Sequence, residues 1–91
     1  MKVCFTEDGW GDYRYWADRD PRMLARINAL IDDARRNRFA GLGKPEPLKG
    51  DLAGWWSRRI TGEHRLVYRI TGKAGVDQHM DIVTCCYRYE D

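Results

Sequence analysis

Between Asp20 and Asn37 the apolar residues Leu24, Ile27, Leu30, Ile31 and Ala34 recur at three- and four-residue intervals. That spacing sets them along one stripe of an α-helix. Asp20-Pro21 supplies the start, an N-cap carboxylate followed by a residue whose missing N–H costs nothing at the first helical position. Arg22, Arg26, Asp32, Asp33 and Arg36 fall on the other side and are expected to face solvent. Upstream, Lys2-Val3-Cys4-Phe5 reads as a short strand, and Thr6 as the N-cap of a helix with Glu7 and Asp8 in its first turn, running to about Asp18. Trp10, Tyr13, Trp16 and Ala17 share one of its faces, while Gly9 and Gly11 weaken it.

Past Asn37 the helical period stops. Gly41, Gly43 and Pro45 break any repeat, so Phe39 to Pro47 is expected to be a loop that delivers Glu46 to the edge of a sheet. Strand-like runs follow at Leu48 to Leu52, Trp55 to Ile60, His64 to Ile70 and Met80 to Tyr89, with Gly72 to His79 as a polar connection. The order predicts an α+β fold, with the N-terminal strand and two helices packed on a twisted, mainly antiparallel sheet. Hairpin register matters because a one-residue slip sends each side chain to the opposite face. A three-residue Thr61-Gly62-Glu63 loop would pair Arg59 with Arg65 and place Ser57, Arg59, Arg65, Val67 and Arg69 on one face, with Trp56, Ile60, Leu66, Tyr68 and Ile70 on the other. A two-residue Gly62-Glu63 turn would split the arginines. The first register is preferred because it separates a cationic face from an apolar one, although it leaves Arg58 and His64 on the apolar side.

Ninety-one residues predict one domain, residues 1–91, with a single core. Met1 to Phe5 lack a signal-like apolar run, and no segment approaches the roughly 20 apolar residues of a membrane span, so the expected location is cytoplasmic with no membrane partner. Cys4, Cys85 and Cys86 have neither disulfide-framework nor zinc spacing and read as reduced thiols; no metal or cofactor is expected. The net charge of +2 argues against a nucleic-acid protein, but its distribution does not. From Arg35 to Arg65, eight basic residues face only Glu46, Asp51 and Glu63, whereas the first third of the chain leans acidic.

The basic segment holds a carboxylate, Glu46, among Lys44, Lys49, Arg58, Arg59 and Arg65. RNA carries its own nucleophile in the 2'-hydroxyl, so its scission needs a base for that proton, cations for the phosphorane and help for the departing 5'-oxygen. Glu46 is the candidate base, with Arg59 and Arg65 as candidate cations. Arg35, Arg36, Lys44 and Arg58 are read as a general basic surface suited to RNA.

Three linked segments carry a more specific signal: Gly41-Leu42-Gly43-Lys44-Pro45-Glu46-Pro47-Leu48-Lys49, Trp56-Ser57-Arg58-Arg59-Ile60-Thr61 and Glu63-His64-Arg65-Leu66-Val67-Tyr68. Trp10, Asp12, Tyr13, Tyr15, Trp16, Asp20 and Arg35-Arg36 support them. With these residues the chain resembles the YoeB-type mRNA interferases of the RelE superfamily, toxins of bacterial type II toxin–antitoxin systems. The resemblance implies a small RelE-like, microbial-RNase-type fold and ribosome-dependent cleavage of mRNA in the A site, without metal, leaving a 2',3'-cyclic or 3'-phosphate and a 5'-hydroxyl. It implies Glu46 as general base, Arg65 at the phosphorane, and Lys49 and Arg59 at the scissile phosphate. It also implies a cognate YefM-type antitoxin, the 70S ribosome and mRNA as partners, and a homodimer.

The chain departs from that family at its end. Where the family closes on Tyr-His-Tyr with the histidine as general acid, this chain has Tyr87-Arg88-Tyr89 followed by Glu90 and Asp91. Arg88, with a pKa above about 12, is a poor proton donor and would act by neutralising charge on the leaving oxygen. Tyr89 keeps the final aromatic position and is expected to help place base or phosphate. Two readings besides a nuclease stay open: a weakly catalytic protein that blocks the ribosomal A site by occupancy, and a plain RNA-binding module.

Overall fold

A computed structural model describes residues 1–87; Arg88 to Asp91, which include the Arg88 and Tyr89 expectations, lie outside the described residues. The order is β1 (Lys2–Phe5), α1 (Glu7–Arg19), α2 (Pro21–Arg36), β2 (Glu46–Pro47), β3 (Trp56–Arg59), β4 (Arg65–Thr71) and β5 (His79–Thr84). The strands form one sheet in the order β1-β5-β4-β3-β2. Among the described residues, β1 and β5 run parallel and the other strand pairs antiparallel. This is the expected α+β architecture.

Both helices begin as their caps dictate. The Thr6 hydroxyl accepts from the Gly9 N–H, and the Asp20 carboxylate accepts from the N–H groups of Arg22 and Met23, satisfying donors that a helix start leaves unpaired. From α2, Ile27, Leu30, Ile31 and Ala34 are buried against Ile60, Leu66, Tyr68, Met80, Ile82 and Cys85. Leu24 is only half-buried. The inward face of α1 differs from its sequence reading: Trp10 is half exposed and Ala17 exposed, while Gly9, Tyr13 and Trp16 turn inward. Gly9 is buried because α1 crosses β5 so closely that a β-carbon there would overlap the Ile82 carbonyl.

Two strand boundaries are corrected. Leu48 to Leu52 is not a strand: Gly50, at φ 64°, turns the chain into a short 3-10 helix over Gly50–Leu52. The chain then returns so that the Leu48 N–H reaches the Trp55 carbonyl at 2.9 Å. The last strand ends at Thr84 rather than Tyr89, because α1 captures the chain there. The Asp12 carboxylate accepts from the Thr84 hydroxyl at 2.7 Å and the Cys85 N–H at 3.1 Å, and the Trp16 indole donates to the Cys85 carbonyl at 2.8 Å. Glu46 also lies within edge strand β2 rather than in the loop before it.

Candidate functional site

β2, β3 and β4 bring together the chemistry. Arg59 pairs directly with Arg65, Ser57 with Val67, and Glu46 with Ser57. Side chains of directly paired residues share a face, and residues two apart on a strand point the same way. Glu46, Ser57, Arg59, Arg65 and Val67 therefore leave the sheet on one side, opposite the Ile60, Leu66 and Tyr68 side chains that pack against α2. The preferred hairpin register is the observed one, with the Ile60 N–H bonded to the His64 carbonyl across a Thr61-Gly62-Glu63 loop. From strand spacing and rise, the backbone of Glu46 lies about 8 Å from that of Arg59 and about 12 Å from that of Arg65.

Glu46 is exposed and, among the described residues, enters no ion pair, so neither Lys44 nor Lys49 neutralises it. Arg59 is exposed as well, and its backbone is fixed from both sides: its N–H donates to the Gly43 carbonyl at 2.6 Å and its carbonyl accepts from the Arg26 guanidinium at 3.3 Å. Arg65 is half-buried, and its Nη1 donates to the Thr61 carbonyl at 2.9 Å, so it braces the hairpin loop while belonging to the cationic face. Lys49 is exposed just after β2, at the start of the 3-10 turn. Val67 is fully buried on this face, beside a cavity of about 590 Å³ that it lines with Leu52, Val83, Thr84 and Tyr87 and with Glu7, Asp8, Gly11 and Asp12 of α1.

Arg58 corrects the sequence reading most. It is not part of a basic surface but completely buried. Its Nε donates to the Tyr68 hydroxyl at 2.9 Å, Nη1 to Asp33 at 2.6 Å and to the Leu42 carbonyl at 3.1 Å, and Nη2 to the carbonyls of Asn37 and Ala40. The Asp33 carboxylate also accepts the Leu42 N–H at 3.0 Å, so it is not a solvent-face residue either. One planar, five-donor head thus ties residues 37–42 to the sheet. A rigid loop then hands Glu46 to β2. The guanidinium of Arg58 holds the Asp33 carboxyl below its ordinary range, and burial pushes the Tyr68 phenol up. Sequence spacing held one clue, an arginine at an apolar-face position of β3.

His64 is a second residue whose role the sequence underplayed. It sits at the end of the hairpin on the helix side, 4.9 Å from the Trp16 ring between centroids. Its Nδ1 accepts the Tyr87 N–H at 2.7 Å. Tyr87 itself is exposed with φ 63°, not packed as a strand residue. The cysteines are free; burial raises the Cys85 thiol to about 12, which leaves it protonated and inert. His79, at the far end of β5, hydrogen-bonds Thr71 and takes no part in this site.

A family model described as YoeB-like toxin of bacterial type II toxin-antitoxin system matches residues 5–89. The toxin YoeB of Escherichia coli K12 is 52% identical over 89 residues, covering 98% of this chain and all of the relative. The solved YoeB/ParE toxin from Agrobacterium tumefaciens superposes with a TM-score of 0.92 at 53% identity, over 98% of this chain and 100% of that one. YoeB from Staphylococcus aureus, solved as a dimer and in a heterotetrameric YoeB-YefM complex, gives TM-scores of 0.86 at 40% and 39% identity, over 98% of both chains. Agreement in sequence and in fold over nearly the full length has one source: this chain belongs to the YoeB-like toxin family of bacterial type II toxin–antitoxin systems.

Proposed function

We propose that the chain is a ribosome-dependent endoribonuclease that cleaves mRNA in the ribosomal A site and thereby stops translation. The observation that carries this reading is the row Glu46-Ser57 beside the pair Arg59-Arg65 on one face of the sheet. In this scheme Glu46 takes the 2'-hydroxyl proton, and O2' attacks the adjacent phosphorus. The P–O5' bond breaks, leaving a 2',3'-cyclic phosphate and a 5'-oxygen that gains a proton. Arg65 and Arg59 oppose the charge that grows on the phosphorane oxygens, and Lys49 holds the neighbouring backbone. Arg88 neutralises the leaving oxygen while solvent supplies the proton, and Tyr89 helps to orient the phosphate.

The family membership and the YoeB-YefM complex of a relative support a YefM-type antitoxin as partner, and the YoeB dimer supports self-association. Among the described residues no helix is long and apolar enough to cross a membrane, consistent with action on ribosomes in the cytoplasm. The replacement of a family histidine by Arg88 favours one competing reading, A-site blockade by occupancy, because losing a positioned acid costs about 10²- to 10⁴-fold in rate. Primer extension on mRNA bound to isolated ribosomes separates the two. A nuclease yields discrete truncated products that Glu46→Ala abolishes, with Arg88→His cleaving faster than the parent. A blocker leaves the message intact in all three proteins, and unchanged cleavage by Glu46→Ala would remove that carboxylate from the mechanism.

A further inference from the structure

The chain leaves β5 and reaches Arg88 and Tyr89 through Cys85, Cys86 and Tyr87, and three elements hold that passage. Helix α1 takes Cys85, through Asp12 on its N–H and Trp16 on its carbonyl. Strand β4 takes the Tyr87 carbonyl, which accepts the Arg65 N–H at 3.0 Å. His64 takes the Tyr87 N–H on Nδ1 at 2.7 Å, and the two rings stand 5.2 Å apart between centroids. A ring nitrogen that accepts a backbone N–H carries a lone pair, so the imidazole proton resides on Nε2, which lies 3.9 Å from the exposed Glu63 carboxylate. The Trp16 ring packs edge-on to the imidazole and limits its rotation. The neighbouring Arg65 guanidinium donates to the His64 carbonyl at 3.4 Å.

We propose that His64 is a positioning residue for RNA cleavage: by accepting the Tyr87 N–H it fixes the backbone whose carbonyl in turn holds the N–H of Arg65. The role depends on Nδ1 as an acceptor and not on the bulk of the ring. Tyr87 holds a left-handed conformation that a non-glycine residue adopts at a cost, and the two backbone bonds to Tyr87, one at each polar atom, are what over-determine it. Without the imidazole acceptor, the Tyr87 N–H is released and the segment can relax toward ordinary strand geometry. Displacement of a reacting group by about 1 Å costs on the order of 10²-fold in rate.

This inference rests on the nuclease reading, and its test has a readout that does not. In the unmodified chain, a scalar coupling across the Tyr87 N–H···Nδ1 bond, measured by nitrogen NMR, is the expected result; its absence overturns the proposal without any substitution. His64→Phe keeps a ring against Trp16 but offers no acceptor. It is expected to lower kcat for mRNA cleavage on ribosomes by roughly 10- to 100-fold, with KM within about threefold. His64→Asn, whose Oδ1 can take the place of Nδ1, recovers most of that loss. Unchanged kcat in His64→Phe, or equal losses in the Phe and Asn variants, would also overturn the positioning role. Intact message with the parent chain would instead defeat the nuclease reading, and cleavage positioning with it, while the coupling still decides whether the latch exists.

Discussion

At the scale of the residue, Arg58 shows how one side chain's surroundings reverse its meaning. Written beside Arg59 it looks like another phosphate contact, yet adjacent strand residues point to opposite faces, and Arg58 takes the inward one. A buried guanidinium is tolerated only when its charge and its donors are matched, and Asp33, Tyr68 and three loop carbonyls do this. Arg58→Met keeps the apolar stem but strands the Asp33 carboxylate and the loop carbonyls. Leaving buried acceptors such as these carbonyls unpaired typically costs about 1–3 kcal/mol. We expect a loss of that order in the unfolding free energy from urea titration, and faster proteolysis within residues 37–44 than elsewhere. Arg58→Lys should recover little of it, because an ammonium cannot reproduce the planar fork.

At the scale of the element, the same loop and helix α1 depend on backbone proximity that no periodicity encodes. Gly43, at φ +78°, lets the loop pass close enough for its carbonyl to take the Arg59 N–H, with Leu30 and Arg58 packed around it. Gly9 and Gly11 look alike in sequence, both weakening α1, but only Gly9 faces the β5 backbone; nothing lies within 4 Å of a β-carbon placed at Gly11. Alanine at either position should gain up to about 1 kcal/mol in helix propensity. At Gly9 that gain is outweighed by overlap with the Ile82 carbonyl, since backbone cannot rotate aside, and overpacking costs about 1–3 kcal/mol. Gly11→Ala is therefore expected to raise the thermal midpoint and Gly9→Ala to lower it; a rise in both would show that α1 moves off β5 at little cost.

At the scale of the whole molecule, acid stability follows from the Asp33–Arg58 pair. Asp33 titrates below the ordinary aspartate value of 3.8 in the folded protein, because Arg58 first, and then the Leu42 N–H, favour the charged carboxylate. The unfolded chain therefore binds that proton at higher pH than the folded one. The resulting stability is complete above the ordinary value and is lost as pH falls through the lower folded value. We expect the urea midpoint to decline as pH drops below about 4, and Asp33→Asn to be less stable at neutral pH but to show a shallower acid decline. An equally steep decline in Asp33→Asn would assign acid sensitivity to other carboxylates.

Much of this was legible along the chain. Caps at Thr6 and Asp20, the stripe from Ile27 to Ala34, and alternation through Trp56 to Ile70 predict elements, and the hairpin loop sets Arg59 opposite Arg65. These features rest on contacts between residues close in sequence, where local stereochemistry leaves few alternatives. The termination of β5 at Thr84, the burial of Arg58, the seat of Glu46 in an edge strand and the grip of His64 on Tyr87 join residues 10 to 73 positions apart. Whether a charge faces water or a matched partner depends on which distant backbone arrives beside it, and that arrival is a property of the packed chain rather than of any segment.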